Sequence, residues 1–225
     1  TFPYQSAKNS DAIENELLSQ KGILNVSFSD TKDITSIMDV SGDILWEGKK
    51  NNAPFMVWRV YADKNFIPLM KYHFIAGGNF TGTPSDDNKY ILNETAVKAM
   101  GLKPPYIGTK IGYDGKADGE LIGVIKDFNF ESLKDPIGPL VIRSKTYKHI
   151  LYVRTTGAGA QNAISAVEKQ FQKYNTDKAP FSYNFIDKSF EAHYRSQQRA
   201  GTLFTTFAAI AIFISCLGLF GLATY

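Results

Sequence analysis

Residues 200–225 read AGTLFTTFAAIAIFISCLGLFGLATY, and none of these side chains is charged. An uncharged apolar run of about 20 residues is long enough, at ~1.5 Å per residue, to cross a ~30 Å hydrocarbon layer. Its Thr and Ser side chains are tolerated in lipid because they hydrogen-bond to carbonyls of their own helix. The stretch therefore predicts a transmembrane helix that follows a folded domain. The alternative is a buried core helix, although such helices usually keep a polar stripe.

Small side chains recur along one side of this run. They are Ala208, Ala211, Ser215 and Gly218, with Gly221 nearby. Small residues let helices approach closely in a bilayer, so we expect this side to meet neighbouring helices. The alternative is that small residues are simply common in membrane helices.

The helix is expected to begin well before the apolar run. Asp187 is placed to cap it, and Phe190 and Tyr194 lie one turn apart beyond that cap. No residue breaks the helical pattern before Gly201. One helix from Ser189 through the membrane would be roughly 55 Å long, and such a rod would carry motion of the domain into the bilayer.

Two basic residues, Arg195 and Arg199, lie just before the predicted span. The positive-inside rule would place them in the cytosol. That rule is weak for long domains, which translocate largely regardless of charge. We therefore still expect the domain on the extracytoplasmic side.

Composition describes an ordinary folded protein. The 225 residues are 44% hydrophobic and 21% charged, and the net charge of +3 is too small to indicate nucleic-acid binding. Cys216 is the single cysteine, so no disulfide can form within the chain. The first residue is Thr1 and the last lies in the apolar run, from which we expect a fragment of a longer protein.

The order of predicted elements favours an α+β protein with a discontinuous lobe. Residues 1–61 and 149–188 read as strand–helix–strand halves of one lobe, and the hairpin-rich residues 62–148 read as a second lobe inserted between them. Residues 189–225 are expected to form the long helix that enters and spans the membrane, as a fragment of a permease domain.

Several local patterns predict individual elements. Strands are predicted at Ile23–Ser29 and at Phe181–Ile186, the latter from its Phe-x-Tyr-x-Phe alternation. The spacing of apolar residues predicts a helix at Ala160–Tyr174. Asn93 is placed to cap another helix, and two Asp-Gly steps at 114–119 indicate a hairpin.

Catalytic and cofactor motifs are missing from the sequence. There is no Walker A motif and no Gly-x-Ser-x-Gly elbow, and the three histidines are scattered. Gly157–Asn162 lies between a strand and a helix, as a dinucleotide fingerprint does, but Asn162 stands at the third glycine position. A loop with a helix start is the favoured interpretation, so we predict no catalytic residue, no cofactor and no metal.

Six stretches, taken in order, resemble the MacB/FtsX-like permeases of ABC transporters in the form common in Bacteroidetes. They are Trp46–Lys49 (WEGK), Ala76–Phe80 (AGGNF), Ile91–Gly101 (ILNETAVKAMG), Ile122–Leu133 (IGVIKDFNFESL), Tyr194–Arg199 (YRSQQR) and Ile212–Leu222 (IFISCLGLFGL). This chain has Gly78 where these proteins usually carry Arg before Asn-Phe, so any role of that arginine is open here.

The resemblance implies a MacB-like periplasmic core, with a porter-like lobe, an inserted sabre-like lobe and a helix that enters the permease domain. It implies a subunit of the bacterial inner membrane that is not itself an enzyme. Two permease copies would pair, and a cytoplasmic ABC ATPase would drive them. ATP-driven closure would be transmitted to the periplasm for export or release of a drug, peptide or lipoprotein, with an adaptor or cargo as a further partner.

Other functions remain open at this point. The chain could be a membrane-anchored sensing or binding domain, or an FtsX-type regulator of cell-wall hydrolases. An anchored enzyme is the third alternative, but no catalytic constellation supports it.

Overall fold

The computed structural model describes residues 1–3, 8–49, 55–113, 115–130, 135–144, 149–175 and 178–223, except for the side chains of 190, 192–203 and 221–223. The chain divides into two compact units, Thr1–Tyr183 and Asn184–Tyr225. The first unit is α+β, as predicted. Its strands are β1 Ile23–Ser29, β2 Val40–Ser41, β3 Leu45–Trp46, β4 Val57–Tyr61, β5 Phe74–Gly77, β6 Lys89–Asn93, β7 Lys110–Gly112, β8 Gly119–Ile125, β9 Leu140–Arg143 and β10 Ile150–Thr155. Its helices are α1 Ser10–Leu18, α2 Phe66–Met70, α3 Glu94–Ala99 and α4 Ala160–Tyr174, and the second unit contains α5 Ile186–Ala223.

The small sheet consists of β1 and β10, which pair antiparallel. Helices α1, α2 and α4 contact it. Its core is a cluster of buried apolar side chains: Phe2, Ile13, Leu17, Ile23, Val26, Phe28, Ala163 and Phe171. The 3–4 spacing of apolar residues on α1 and α4 puts their apolar faces against this sheet.

The large sheet has eight strands in the order β2-β4-β9-β6-β8-β7-β3, with β5 also paired to β8. Strand β8 is central in this sheet, since it pairs with β5, β6 and β7. Its sequence is apolar on both faces, as is typical of a strand that is covered on both sides. The β7–β8 pair is the hairpin that the Asp-Gly steps indicate. Helix α3 contacts β6, β8 and β9. Its residues Ala96 and Val97, and Met100 directly after it, are buried in the core of this sheet.

The two sheets meet where β4 ends. Asp63 accepts hydrogen bonds from Ser27 Oγ (2.7 Å) and from the Phe28 amide, and its own amide donates to Phe28 O (3.1 Å). Ser29 Oγ donates to Tyr61 O at 2.6 Å. These contacts fix the end of β4 to β1.

The predicted strand at Phe181–Ile186 is wrong, because residues 178–185 form no strand and Ile186 begins α5. Phe181 instead packs its ring on Phe171 of α4, with centroids 5.5 Å apart. An alternating apolar pattern makes a strand only when a partner strand is available, and Phe181 satisfies its apolar side chain by packing on a helix.

The division into lobes at 1–61, 62–148 and 149–188 stays a prediction. The strand pairing does not follow this division. Strands β2, β3 and β4 lie within residues 1–61 but belong to the large sheet. Helix α2, which the prediction placed in the inserted lobe, contacts β1 and β10 of the small sheet.

Candidate functional site

Helix α5 is continuous over 38 residues, from Ile186 to Ala223. At the standard rise it is about 57 Å long. The helix begins at Ile186, so Asp187 lies inside its first turn and not at the cap position that the sequence predicts. There its carboxylate interacts favourably with the positive end of the helix dipole. The prediction of one uninterrupted helix through this part of the chain is therefore confirmed.

From residue 204 to residue 220, every side chain of α5 is exposed. The large apolar ones are Phe204, Phe207, Ile210, Ile212, Phe213, Ile214, Leu217, Leu219 and Phe220. They occur on all sides of the helix, since their spacing follows no single face. Ser215 Oγ donates to Ala211 O at 2.8 Å, so this hydroxyl is satisfied within the helix.

No helix within the described part of the chain is both long enough and apolar enough to cross a membrane. The transmembrane span predicted at 200–225 is not confirmed by the structure and stays a prediction.

The predicted site residues all lie on α5. Ala208, Ala211, Ser215 and Gly218 are exposed, and a Cβ added at Gly218 would meet no atom within 4 Å. The helical backbone also includes Phe190, Tyr194, Arg195, Arg199 and Gly221, whose side chains lie outside the described part. The roles predicted for these nine residues stay predictions.

Asn93, in the stretch ILNETAVKAMG, is fully buried at the start of α3. Its Oδ1 accepts hydrogen bonds from the amides of Ala96 and Leu140, both at 2.9 Å, and its Nδ2 donates to Gly138 O at 2.9 Å. Asn93 therefore caps α3, as predicted, and also ties the helix to the start of β9.

Asp127 joins the end of β8 to the same helix. Its carboxylate accepts from the Thr95 amide (3.0 Å) and from Thr95 Oγ1 (2.8 Å), and its amide donates to Glu94 Oε2 (3.0 Å). The sequence analysis does not predict this contact between Asp127 and the first turn of α3. A carboxylate directly after a buried strand, with a helix N-terminus free to receive it, is the signal that could have found it.

Trp46 contacts the other end of α3. Its indole Nε1 donates to Met100 O at 3.1 Å, and Lys49 Nζ lies 4.9 Å above the ring while donating to Ile44 O at 2.8 Å. Gly48 adopts φ 86°, which the turn between Trp46 and Lys49 requires. The stretch WEGK thus covers the C-terminus of α3.

The stretch AGGNF packs against β8 without space for side chains at two glycines. Gly77 has φ 66°, and a Cβ there would overlap Ile122 O. A Cβ at Gly123 would overlap Gly78 O. Gly78 itself is open, since a Cβ there would meet nothing within 4 Å. Four of the six resembling stretches therefore lie in or against α3 and β8, where their contacts stabilise the fold.

A buried carboxylate organises the loop before β6. Asp86 accepts hydrogen bonds from the amides of Thr81 (2.8 Å), Gly82 (2.7 Å) and Thr83 (3.3 Å), and pairs with Lys89 Nζ at 3.2 Å. Burial would raise the pKa of Asp86, but the hydrogen bonds from Gly82, Lys89 and Thr81 lower it overall.

Arg59 of β4 and Arg143 of β9 contact acidic and aromatic side chains beside the large sheet. Arg59 pairs with Asp39 at 2.7 Å, and the Arg143 guanidinium lies 4.8 Å from the Tyr113 ring. Burial raises the pKa of the Tyr113 hydroxyl. Neither this hydroxyl nor Arg143 Nε has a hydrogen-bond partner among the described residues.

The glycines before α4 serve close packing. Gly159 lies against Gly22, and a Cβ on Gly22 would approach Gly159 Cα to 2.7 Å. Thr156 Oγ1 accepts from the Gly159 amide at 3.1 Å. This loop is thus filled by the chain itself, in agreement with the interpretation of 157–162 as a loop and helix start.

Within the described residues no three His, Cys, Asp or Glu side chains form a group suited to a metal ion.

A series of ring contacts runs between the two sheets. The pairs, with centroid separations, are Tyr152–Phe66 (5.7 Å), Phe66–Tyr72 (6.3 Å), Tyr72–Phe128 (3.8 Å), Phe128–Phe130 (5.6 Å) and Phe130–Trp58 (5.9 Å). We call these six residues the aromatic chain. Phe128 and Phe130 belong to the resembling stretch after β8.

Solved structures share this fold. The periplasmic region of MacB from Actinobacillus actinomycetemcomitans is 14% identical with a TM-score of 0.50, over 73% of this chain and 75% of that one. The extracellular domain of the noncanonic ABC-type transporter YknZ from Gram-positive bacteria is 12% identical with a TM-score of 0.50, over 72% and 82%. A domain assigned to a permease protein from Porphyromonas gingivalis is 15% identical with a TM-score of 0.51, over 73% and 70%.

No family model and no curated protein matches the sequence. At these low identities the structural likeness establishes the fold. The first unit has the fold of MacB-like periplasmic domains, which confirms the MacB-like core that the resemblance implies. The two lobes and the membrane helix stay predictions.

Proposed function

We propose that this chain is the extracytoplasmic part of an ABC transporter permease subunit of a bacterial inner membrane. The observation that carries the proposal is the shared fold: solved neighbours include the periplasmic region of MacB and the extracellular domain of an ABC-type transporter. The order of the resembling stretches, which continues into α5, supports the same assignment.

We also propose that α5 enters and spans the membrane. The support is the uncharged sequence of residues 200–225 and the exposure of large apolar side chains from Phe204 to Phe220. Contiguous exposed apolar surface of this extent is unfavourable in water and marks a contact with lipid or with another protein. Lipid and neighbouring permease helices together would cover all sides of this helix.

In this proposal α5 transmits motion. The chain contributes no ATP-binding motif, so hydrolysis would occur in a separate cytoplasmic ATPase, and a second permease copy would complete the assembly. A helix of 38 residues without an internal Pro is stiff along its axis. It can therefore carry a displacement between the membrane and the extracytoplasmic unit during export or release of an envelope substrate.

The location is tested by cysteine labelling of the full-length protein, with its other cysteines replaced. Lys98→Cys, on an exposed position of α3, reports on the folded unit, and native Cys216 reports on the apolar part of α5. A membrane-impermeant maleimide is added to cells whose outer envelope has been made permeable. We expect rapid modification at residue 98 and modification at Cys216 only after the membrane is dissolved.

Two results would contradict the proposal. Protection of Lys98→Cys until lysis would place the folded unit in the cytosol. Equal labelling of Cys216 and residue 98 in the permeabilised cells, before the membrane is dissolved, would show that α5 does not enter the membrane, and would favour an interaction of its apolar surface with another protein.

A further inference from the structure

We infer that the small sheet and the large sheet move as one rigid body, because two linked junctions hold them together. One junction is the hydrogen-bonded corner at Asp63. The other is the aromatic chain. If the sheets were hinged lobes, a single connection between them would be expected, and rotation about it would be easy.

The aromatic chain begins on the small sheet. Tyr152 of β10 packs edge-on against Phe66 of α2, which is fully buried. Arg154, also on β10, donates from Nε to Leu69 O near the end of α2. Helix α2 is therefore fixed to the small sheet by both a ring contact and a hydrogen bond.

The middle of the aromatic chain joins two segments without regular secondary structure. Tyr72 follows α2, and Phe128 follows β8. Their rings are stacked, with planes 17° apart. Next to them, the Lys126 amide donates to His73 O at 2.8 Å. A stacked pair flanked by a backbone hydrogen bond restrains both sliding and separation of the two connections.

The aromatic chain ends on the large sheet. Phe130, which is 2% exposed, contacts Trp58 of β4. The Trp58 ring lies on the backbone of Gly138, where a Cβ would overlap it. Trp58 is thus held between Phe130 and the segment that leads into β9.

The two junctions constrain each other. Strand β4 carries Trp58 at one point and reaches the Asp63 corner five residues later. Rotation of the small sheet about Asp63 would pull Tyr72 away from Phe128, because α2 moves with the small sheet. Neither junction can open alone without loss of the other's contacts, so the cheapest motion is displacement of both sheets together.

This inference deepens the proposed function and rests on it for its functional consequence. Phe181, the last aromatic packed on α4, lies on the small-sheet side. A displacement applied to the chain beyond Phe181 would reach the small sheet first. The aromatic chain would then pass this displacement on to the large sheet, because no hinge between the two sheets would absorb it.

The test is amide hydrogen exchange on the full chain in a mild detergent, at a pH where exchange reports opening equilibria. We compare the slowest amides of β1 with those of β8. In the wild type we expect them to exchange through the same opening, with protection factors within about threefold of each other. Protection in β1 that is more than about tenfold lower, with β8 intact, would show an independent lobe and overturn the inference.

The variant Phe128→Leu breaks the stack while keeping an apolar side chain. We expect the ratio of β8 to β1 protection to rise at least about tenfold, because the small sheet gains its own opening. Phe55→Leu is the matched control, since Phe55 is half-buried on the large-sheet core beside Trp46 and outside the aromatic chain. An unchanged ratio in Phe128→Leu, or an equal change in Phe55→Leu, would overturn the inference.

If Phe128→Leu unfolds, Tyr72→Leu provides the second variant, since it breaks the same stack from the other side and should raise the ratio at least about tenfold. Tyr72→Phe, which keeps the ring, is its control and should keep the ratio at its wild-type value, and an equal ratio in the two variants would overturn the inference. These measurements need no ATPase and no cargo. Failure of the transporter proposal would therefore leave the exchange result standing, and failure of the exchange prediction would leave the transporter proposal standing.

Discussion

The ring of Tyr72 lies flat on the ring of Phe128, with centroids 3.8 Å apart and planes 17° apart. Each residue comes from an irregular connection, yet together they join α2 to the segment after β8. We expect Tyr72→Leu to lower the free energy of unfolding by about 1–2 kcal/mol, because the stack and part of the buried ring are lost. Tyr72→Phe keeps the ring and should cost less than about 0.5 kcal/mol. Denaturant unfolding in mild detergent measures both, and equal costs would contradict a role for the stack.

Asn93 carries the second prediction. Asn93→Ala removes the cap of α3 and leaves the buried Leu140 amide and Gly138 carbonyl without their partner. We expect a loss of about 2–4 kcal/mol in the free energy of unfolding. Asn162→Ala, on the exposed side of α4, is the control and should change stability by less than about 0.5 kcal/mol. Similar losses of stability in the two variants would contradict a stabilising role for the hydrogen bonds of Asn93.

Substitution of the two adjacent glycines of AGGNF should lower the stability at Gly77 and leave it unchanged at Gly78. Gly77→Ala places a Cβ against Ile122 O at a positive φ, so we expect a loss of more than about 2 kcal/mol. Gly78→Ala, and also Gly78→Arg, should stay within about 0.5 kcal/mol of the wild type because that position is open. Thermal unfolding of the three variants decides this. A Gly78→Arg protein as unstable as Gly77→Ala would mean that position 78 is closed.

Asp86 gives the pH prediction. Its pKa is lower in the folded state than in the unfolded chain, so its contribution to stability is present above the unfolded value of ~3.9 and is lost as the pH falls through the folded value. Asp86→Asn should cost about 1–3 kcal/mol at pH 7. The difference from wild type should shrink below about pH 4.

The control for this prediction is Asp87→Asn, whose side chain is exposed next to Asp86. It should unfold like the wild type across the same pH range. A constant difference between Asp86→Asn and wild type from pH 7 to pH 3 would show that the ionised carboxylate of Asp86 contributes nothing.

The sequence predicts elements whose pattern is local. Strand Ile23–Ser29 and helix Ala160–Tyr174 occur at the predicted bounds, because alternation and 3–4 spacing each determine which face is buried. The Asn93 cap and the unbroken course of α5 are local features as well. Both could be predicted without knowledge of tertiary contacts.

Features that depend on distant partners could not be predicted in this way. Strand β4 pairs with β9, which follows about 80 residues later, and alternation alone does not identify a partner strand. The same holds for the strand wrongly predicted at Phe181–Ile186. The Tyr72–Phe128 stack joins two segments without regular structure, so no periodic pattern indicates it.

We propose that this chain couples ATP hydrolysis in a separate subunit to an extracytoplasmic event. The most direct test is to purify the full-length protein gently from its own membranes and to measure the ATPase activity that accompanies it. Three forms are compared: wild type, a deletion of residues 1–183, and a Gly-Pro insertion after Ala200, which interrupts α5 and leaves the folded unit unchanged.

We expect an ATPase to co-purify with the wild type, its turnover to fall when residues 1–183 are deleted, and transport to be lost in the insertion variant while ATP is still hydrolysed. If no ATPase accompanies the protein, the result would contradict the transporter proposal and favour an anchored sensing domain. Unchanged transport in the insertion variant would contradict transmission through α5.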